Sequence, residues 1–242
     1  MQWLNSIVDE LIARHPDSEI IVSSGVSPSG TYHLGTLREV LTAEVIVVEL
    51  LRRGQRARHL HIVDDLDVFR KVPVNIPAKF EQYLGKPLCD VPAPDDSQRS
   101  YADYFLGDLL DAAQKLRLKM EVVRAHQKYR EGFYASAIET SLMHLGDIRR
   151  ILQEVSGRQL DEQWSPVQVM EDGYLKNRQF KAIDTANKTI TYVGKDGAEA
   201  TVSYIDGKVK LNWRIDWPAR WSLLQVQAEP FGRDHATKGG SY

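Results

Sequence analysis

The order of residues 19–63 constrains this chain more than any other feature. The apolar run Glu19-Ile20-Ile21-Val22-Ser23 predicts a strand over about 19–24. A turn rich in small residues follows, Ser24-Gly25-Val26-Ser27-Pro28-Ser29-Gly30-Thr31-Tyr32-His33-Leu34-Gly35. Leu37, Val40, Leu41, Val45, Val48 and Leu51 then recur at helical spacing over 36–53, and Gly54 stops the helix. Residues 57–63 predict a second strand, ending in Asp64-Asp65-Leu66-Asp67. A strand, helix and strand in this order imply a right-handed crossover and a parallel sheet. The loops leaving the carboxyl ends of both strands then face one ligand crevice.

The remaining chain extends this α/β pattern. Residues 3–14 predict a short amphipathic helix, 100–118 a third helix, 120–123 a strand and 133–155 one long helix. Residues 72–97 are proline-rich and are expected to be irregular, as an insertion over the crevice or a surface connection. Short β segments around turn signals fill 174–211, and Asp206-Gly207 is the strongest hairpin signal. Helix resumes at 217–224, with Pro218 in its first turn and Asp216 as candidate cap, and a last strand covers about 226–229. The expected division is an α/β domain over 1–170, an inserted antiparallel β module over 171–211, and the α/β domain again over 212–242.

Several classes are set aside by composition. A net charge of −2 argues against a general nucleic-acid coat, though local basic patches remain possible. Cys89 is the one cysteine, so neither an intrachain disulfide nor a cysteine zinc site is expected. No run of roughly 18 apolar residues predicts a spanning helix, and the N-terminus lacks a secretory pattern. A cytoplasmic protein is expected.

Candidate chemistry gathers at a few places. Gly30 and Gly35 permit close backbone approach to a phosphate, His33 can donate to one, and the helix beginning near Thr36 adds its positive end. The structural alternative is a turn histidine packed beside Tyr32. Thr36-Leu37-Arg38-Glu39 reads as a capping box, or Glu39 reads as a carboxylate for an ammonium group. Asp64, Asp65 and Asp67 either hold a cation or basic substrate, or are turn residues offset by Arg70 and Lys71. Trp213, Trp217 and Trp221 are core rings or the wall of a pocket. Gly232-Arg233-Asp234-His235 follows a strand and is a ribose or substrate contact, or a polar turn. Two basic clusters, 52–58 and 117–130, contact RNA phosphates or form a solvated face.

These segments resemble a known family. Pro28-Ser29-Gly30 with His33-Leu34-Gly35 is similar to the HIGH signature of class I aminoacyl-tRNA synthetases. The sequence Asp64-Asp65-Leu66-Asp67-Val68-Phe69-Arg70-Lys71-Val72-Pro73 resembles class I lysyl-tRNA synthetases in particular. So do Tyr83-Leu84-Gly85-Lys86-Pro87, Trp213-Arg214-Ile215-Asp216-Trp217-Pro218-Ala219-Arg220-Trp221, Glu229-Pro230-Phe231-Gly232-Arg233-Asp234-His235 and Gly240-Ser241-Tyr242. The resemblance implies a Rossmann-type catalytic domain that activates lysine with ATP and Mg²⁺ and transfers it to lysine tRNA. It implies catalytic roles for His33 and Gly35, and ATP contacts from Pro28, His33, Gly35, Thr36, Gly232 and Asp234. Gly25, Ser27, Glu39, Trp213 and His235 are implied to line the lysine pocket, with Glu39 opposite an ammonium. Ser27 stands where the family often has threonine. Family members often carry cysteines in the small β module; residues 171–211 have none, so no zinc is expected there. The family's second signature, the KMSKS loop, and its helical anticodon-binding region would lie beyond Tyr242, so these residues alone are expected to be incompletely active. The alternatives are another class I synthetase or nucleotidyltransferase, and a non-catalytic protein that binds lysine or RNA.

Overall fold

The computed structural model describes residues 2–157, 159–161 and 163–237, with the Asp234 side chain outside the described set. Helix α1 (Gln2–Arg14) leads into β1 (Ile20–Val26), α2 (Leu34–Arg52) and β2 (Ala57–Val63). β1 and β2 pair in parallel from Ile20 opposite Ala57 to Val26 opposite Val63. Ile20 and Val22 of β1 meet Ala43, Ile46, Val47 and Leu50 of α2 and Leu4, Val8 and Leu11 of α1 in one apolar cluster. Burying each large aliphatic side chain contributes about 1.5–3 kcal/mol, which holds α2 across the sheet.

Helix α3 (Tyr101–Lys115) is capped by Ser100, whose hydroxyl accepts from the Asp103 backbone N–H at 3.1 Å. Strand β3 (Glu121–Arg124) then pairs in parallel with β2. The expected irregular stretch at 72–97 is a packed layer. It forms short 3₁₀ turns at Ala78–Tyr83 and Leu88–Asp90. Ile76, Phe80, Leu88 and Val91 pack with Phe69, Tyr101 and Phe105. Ring centroids 4.9 Å apart for Phe69–Tyr101 and 4.8 Å for Tyr101–Phe105 supply the adhesion that proline content conceals.

Helix α4 (Ala125–Arg130) follows, and the expected long helix at 133–155 divides at His144 into α5 (Ala135–Met143) and α6 (Leu145–Ser156). Only α5 has a core to follow: Ile138 and Leu142 are buried, whereas α6 buries no residue. Six strands come next: β4 (Val167–Glu171), β5 (Tyr174–Asn177), β6 (Phe180–Asp184), β7 (Thr189–Val193), β8 (Glu199–Ser203) and β9 (Val209–Leu211). They form two antiparallel sheets, ordered β5-β4-β9 and β6-β7-β8. Asp206-Gly207 therefore closes no hairpin. It carries the chain from β8, paired with β7, to β9, paired with β4. Local turn chemistry bends the backbone but does not choose the partner strand.

Helix α7 (Trp213–Leu223) begins earlier than expected, at an Asn212 cap, so Pro218 lies inside the helix and Asp216 caps nothing. Strand β10 (Val226–Ala228) returns to the other edge of the parallel sheet, giving the order β10-β1-β2-β3. The fold is thus α/β, with a four-stranded parallel sheet and two small antiparallel sheets. No helix of the described residues is long and apolar enough to cross a membrane.

Beneath α2 the sheet carries a buried polar chain. His59 Nδ1 lies 2.9 Å from Glu44 Oε2, and His59 Nε2 lies 2.8 Å from Ser24 Oγ. Ser24 Oγ lies 2.8 Å from His61 Nδ1, and the Lys119 backbone N–H donates to Glu44 Oε1 at 2.9 Å. With Glu44 ionised, one proton pattern satisfies the chain. His59 Nδ1–H donates to Glu44, Ser24 O–H donates to His59 Nε2, and His61 Nδ1–H donates to Ser24. That leaves His61 Nε2 a bare acceptor, and it is buried without a hydrogen-bond partner. Burial, and then the neighbouring His59, push the His61 pKa down to about 3; burial also lowers that of His59, against the opposing pull of Glu44. A histidine held neutral in the folded state stabilises fully above its unfolded pKa of about 6.5 and loses that contribution as pH falls. Between pH 7.5 and 5.0, His61 alone should cost about 2 kcal/mol of unfolding free energy. Urea unfolding at both pH values tests this, and equal midpoints would refute it. His61→Gln should flatten the dependence.

Candidate functional site

A cleft of about 370 Å³ opens at the carboxyl ends of β1, β2 and β10. Gly25 and Ser27 come from the end of β1, Asp64, Asp67 and Arg70 from the loop after β2, and Glu39 from the second turn of α2. Lys210 reaches it from β9, Trp213, Trp217 and Arg220 from α7, and Glu229, Phe231 and His235 from the segment after β10. A parallel sheet brings these loops to one edge, which is why residues so far apart in sequence meet here.

The inner wall is a buried network of ions. Lys210, 2 % exposed, lies 2.9 Å from Asp216 Oδ2 and 3.2 Å from Asp67 Oδ1. Tyr129 donates its hydroxyl to Asp216 Oδ2 at 2.8 Å and accepts from the Leu211 backbone N–H at 3.1 Å. Arg220 grips Asp64 at 3.0 Å and stands 3.6 Å from Asp216. Burial by itself would lower the Lys210 pKa, but Asp216, Asp67 and Asp64 outweigh it and the net direction is up. Burial by itself would raise that of Asp216, but Lys210 and Arg220 outweigh it and the net direction is down. Lys210 and Asp216 thus stay charged at neutral pH, whereas burial, against the pull of Arg220, pushes the Asp64 pKa up to about 7. The aspartates after β2 are offset by Arg220 and Lys210, not by Arg70 and Lys71. Asp65 faces elsewhere: it accepts from Arg124 Nε at 2.5 Å, from His126 Nδ1 at 2.6 Å and from the His126 backbone N–H at 2.8 Å, and so ties β2 to β3 and α4.

The outer wall is aromatic. Trp217 packs edge-on against His235 with centroids 4.8 Å apart, and Trp213 lies 6.5 Å from Trp217. Trp217 Nε1 donates to Glu229 Oε2 at 3.0 Å and Trp221 donates to the same oxygen. Two indoles thus fix one carboxylate at the cleft. Its other oxygen stands 3.7 Å from where a Cβ on Gly25 would be, an ordinary contact. Packing therefore does not demand glycine at 25, and the space left by the missing side chain belongs to the cleft. The lining carries Glu39, Asp64, Asp67 and Glu229 against Arg70, Lys210 and Arg220, a balance that favours a cationic ligand.

His33 and Gly35 lie outside this cleft. His33 caps α2: its Nδ1 accepts from the Gly35 N–H at 3.0 Å and the Thr36 N–H at 3.4 Å. The capping box at Thr36–Glu39 is thus replaced by a histidine cap one turn earlier, and Glu39 faces the cleft. A Cβ on Gly35 would stand 2.8 Å from the His33 ring, so the glycine makes room for the folded-back imidazole. With Nδ1 accepting, the neutral ring carries its proton on Nε2. His33 borders a separate groove with Tyr32, Leu37 and Asp108. Pro28 is buried behind this loop and Gly232 precedes the 3₁₀ turn Arg233–Ala236. The Asp234 side chain and Gly240-Ser241-Tyr242 lie outside the described residues.

Lys210, Arg220 and Glu229 line the cleft although no motif or spacing gives them a role. A signal for Lys210 was present, a charge between Val209 and Leu211 in a strand with no polar face. Of the two basic clusters, Arg52 and Arg53 pair with Glu49, Arg58 with Glu19 and Glu121, and Arg130 with Asp90. Among the described residues no group of three or more histidine, cysteine or acidic side chains could hold a metal ion.

A parallel sheet with a cleft at its carboxyl edge, beside the histidine-capped α2, defines a protein of the α/β class whose ligand edge is the one where these loops meet. Over residues 1–242 the chain matches the family described as tRNA synthetases class I (K), and it belongs to that family. It is 39% identical over 244 residues to a lysine–tRNA ligase of Methanococcus maripaludis, covering 100% of this chain and 46% of the relative. Lysine–tRNA ligases of Archaeoglobus fulgidus, at 38% identity, and Pyrococcus furiosus, at 37%, match 100% of this chain and 48% and 47% of their own lengths. The chain spans about half the length of the curated relatives it matches.

Proposed function

We propose that this chain is the catalytic part of a lysine–tRNA ligase, which activates lysine as lysyl-adenylate and passes it to lysine tRNA. The observation that carries the reading is the convergence of Gly25, Ser27, Glu39, Trp213 and His235 on one cleft with an acidic balance. An ammonium group on a flexible apolar stem suits carboxylates set beside indoles. Glu39 is the proposed partner of a lysine ammonium, Gly25 and Ser27 the floor, and Trp213 and His235 the walls. His33, Gly35, Thr36 and Pro28, with Gly232 and Asp234 across the sheet edge, are proposed for ATP. Residues 171–211 are read as a module inserted into the catalytic domain of 1–170 and 212–242. A cytoplasmic location accompanies this reading.

In the reaction a lysine carboxylate oxygen bonds to the α-phosphorus of ATP, the bridging bond to the β-phosphate breaks, and pyrophosphate leaves with its electron pair. The chain contributes position and charge, the main sources of rate in such transfers. Mg²⁺ would arrive bound to the phosphates and neutralise them. Asp64 and Asp67 are already paired with Arg220 and Lys210 and do not form a cage for it.

Glu39→Gln tests the assignment in the protein that carries this chain. Glutamine cannot neutralise an ammonium, and a bond to a charged group contributes about 1.5–3 kcal/mol. The expected result is a lysine KM raised about tenfold or more, with ATP KM and melting temperature nearly unchanged. Because His33 and not Thr36 caps the helix, the substitution leaves the cap itself untouched. A wild-type lysine KM would remove Glu39 from the pocket. Wild-type protein that exchanges pyrophosphate with another amino acid in preference to lysine would overturn the reading itself.

A further inference from the structure

The buried chain Glu44–His59–Ser24–His61 joins two elements that face each other across the cleft. Ser24 stands in β1 directly before Gly25, and Glu44 stands in α2 just over one turn beyond Glu39. Gly25 and Glu39 both line the cleft. His61 lies opposite Ser24 on β2, and His59, two residues earlier, shares its face of the sheet. No member of the chain is more than 8 % exposed. The order carboxylate, imidazole, hydroxyl is that of a hydrolytic triad. At 1 % exposure the Ser24 hydroxyl is closed to any substrate, so the chain is not a nucleophilic site.

Its surroundings give it a different role. The C-terminal half of α2 sits on apolar contacts from Ala43, Ile46, Val47 and Leu50. Between Leu34 and Thr42, the half that carries Glu39, only Val40 is buried. Apolar contacts are non-directional and tolerate small rotations, whereas hydrogen bonds weaken steeply with misalignment. Glu44 is held at both oxygens, by His59 from β2 and by the Lys119 backbone N–H ahead of β3. Helix α2 must therefore hold one rotation for both bonds to form, and a donor stranded in the interior is costly. His61 completes the arrangement. By donating to Ser24 it turns the Ser24 proton toward His59, which keeps the other His59 proton on Glu44. We propose that the Glu44–His59–Ser24 chain positions the substrate carboxylate: it fixes the rotation of α2 against β1 and so sets the span between Glu39 and the floor at Gly25 and Ser27. The inference rests on the reading of Glu39 as the partner of a lysine ammonium. Rotation displaces a carboxylate on the helix flank more than a ring folded over the helix end, so Glu39 feels a loss of register more than His33 does.

Pyrophosphate exchange by the full protein tests this. Ser24→Ala breaks the chain at its centre, and should raise lysine KM about fivefold with ATP KM within about twofold of wild type. Ile46→Val loosens α2 in its apolar half, and should lower the melting temperature without moving lysine KM. Because the chain acts through Glu39, adding Ser24→Ala to Glu39→Gln should raise lysine KM no further. A wild-type lysine KM in Ser24→Ala overturns the proposal. So does an equal rise in Ile46→Val, which would make the effect one of stability alone, or a rise that Glu39→Gln does not absorb. Should Ser24→Ala fold poorly, Glu44→Gln keeps the shape but turns an amide nitrogen toward one of its two donors, and should still raise lysine KM about threefold; a wild-type value there overturns the proposal equally. If wild type activates another amino acid in preference to lysine, the lysine reading falls, and the same comparison made with that amino acid decides the positioning role.

Discussion

Replacing His33 by asparagine is expected to slow lysyl-adenylate formation by about 100-fold, the cost of removing one preorganised donor at a developing charge. The observed capping role and the proposed phosphate-donor role share this side chain, and the substitution separates them. Nδ1 caps α2 by accepting from Gly35 and Thr36. In the proposed reaction that leaves Nε2–H to donate to a phosphate oxygen at the positive end of the helix. Asparagine is a good cap but has no donor at the Nε2 position. Its melting temperature should therefore stay within about 2 °C of wild type. His33→Ala loses both roles, and should add about 0.5–2 kcal/mol of lost stability to the same loss of rate. Pyrophosphate exchange and thermal unfolding of the three proteins make the comparison. Exchange at the wild-type rate in His33→Asn would reduce His33 to a cap.

The largest effect on stability should come from Asp216→Ala. Asp216 is 1 % exposed and serves Lys210, Tyr129 and Arg220 together. Removing it leaves two buried cations facing only Asp64 and Asp67, and stranding a buried charge costs about 3–5 kcal/mol. For a domain of this size that is a fall in melting temperature of roughly 10 °C. Asp216→Asn keeps an acceptor for Tyr129 but not the charge, and should fall between. The pH dependence has a fixed sign. Asp216 has its pKa lowered in the folded state, so its contribution is complete above the ordinary carboxylate range and is lost as pH falls through the depressed value. Lys210 has its pKa raised, so its contribution is complete below the ordinary lysine range and is lost only as pH rises beyond it. An Asp216→Ala protein that melts with wild type would show the network to be dispensable. Lysine KM should rise in the same variant, because Lys210 and Arg220 line the cleft.

The parallel β1-α2-β2 unit was legible in the sequence because its information is local. A period of two, a period of 3.6 and the glycines between them leave one handed arrangement, and that arrangement sends Gly25, Ser27 and the aspartates after β2 to one edge. The identity of the helix cap was not legible. Thr36 and Glu39 have the spacing of a capping box, yet His33 lies nearer the strand and its ring folds over Gly35. Nor could turn chemistry at Asp206-Gly207 reveal that β9 joins β4 and not β8, because strand pairing is decided by distant partners. That pairing is what buries Lys210 beside Asp216. By itself the sequence determined the parallel core, the loop that carries His33 and the edge where the cleft opens, each set by spacing within about 20 residues. Only the tertiary structure decided which charges neutralise one another across the cleft and which are left to face it. Ion pairing in a low-dielectric interior depends on distances of a few ångströms between segments as remote as Asp64 and Arg220, and no local pattern encodes them.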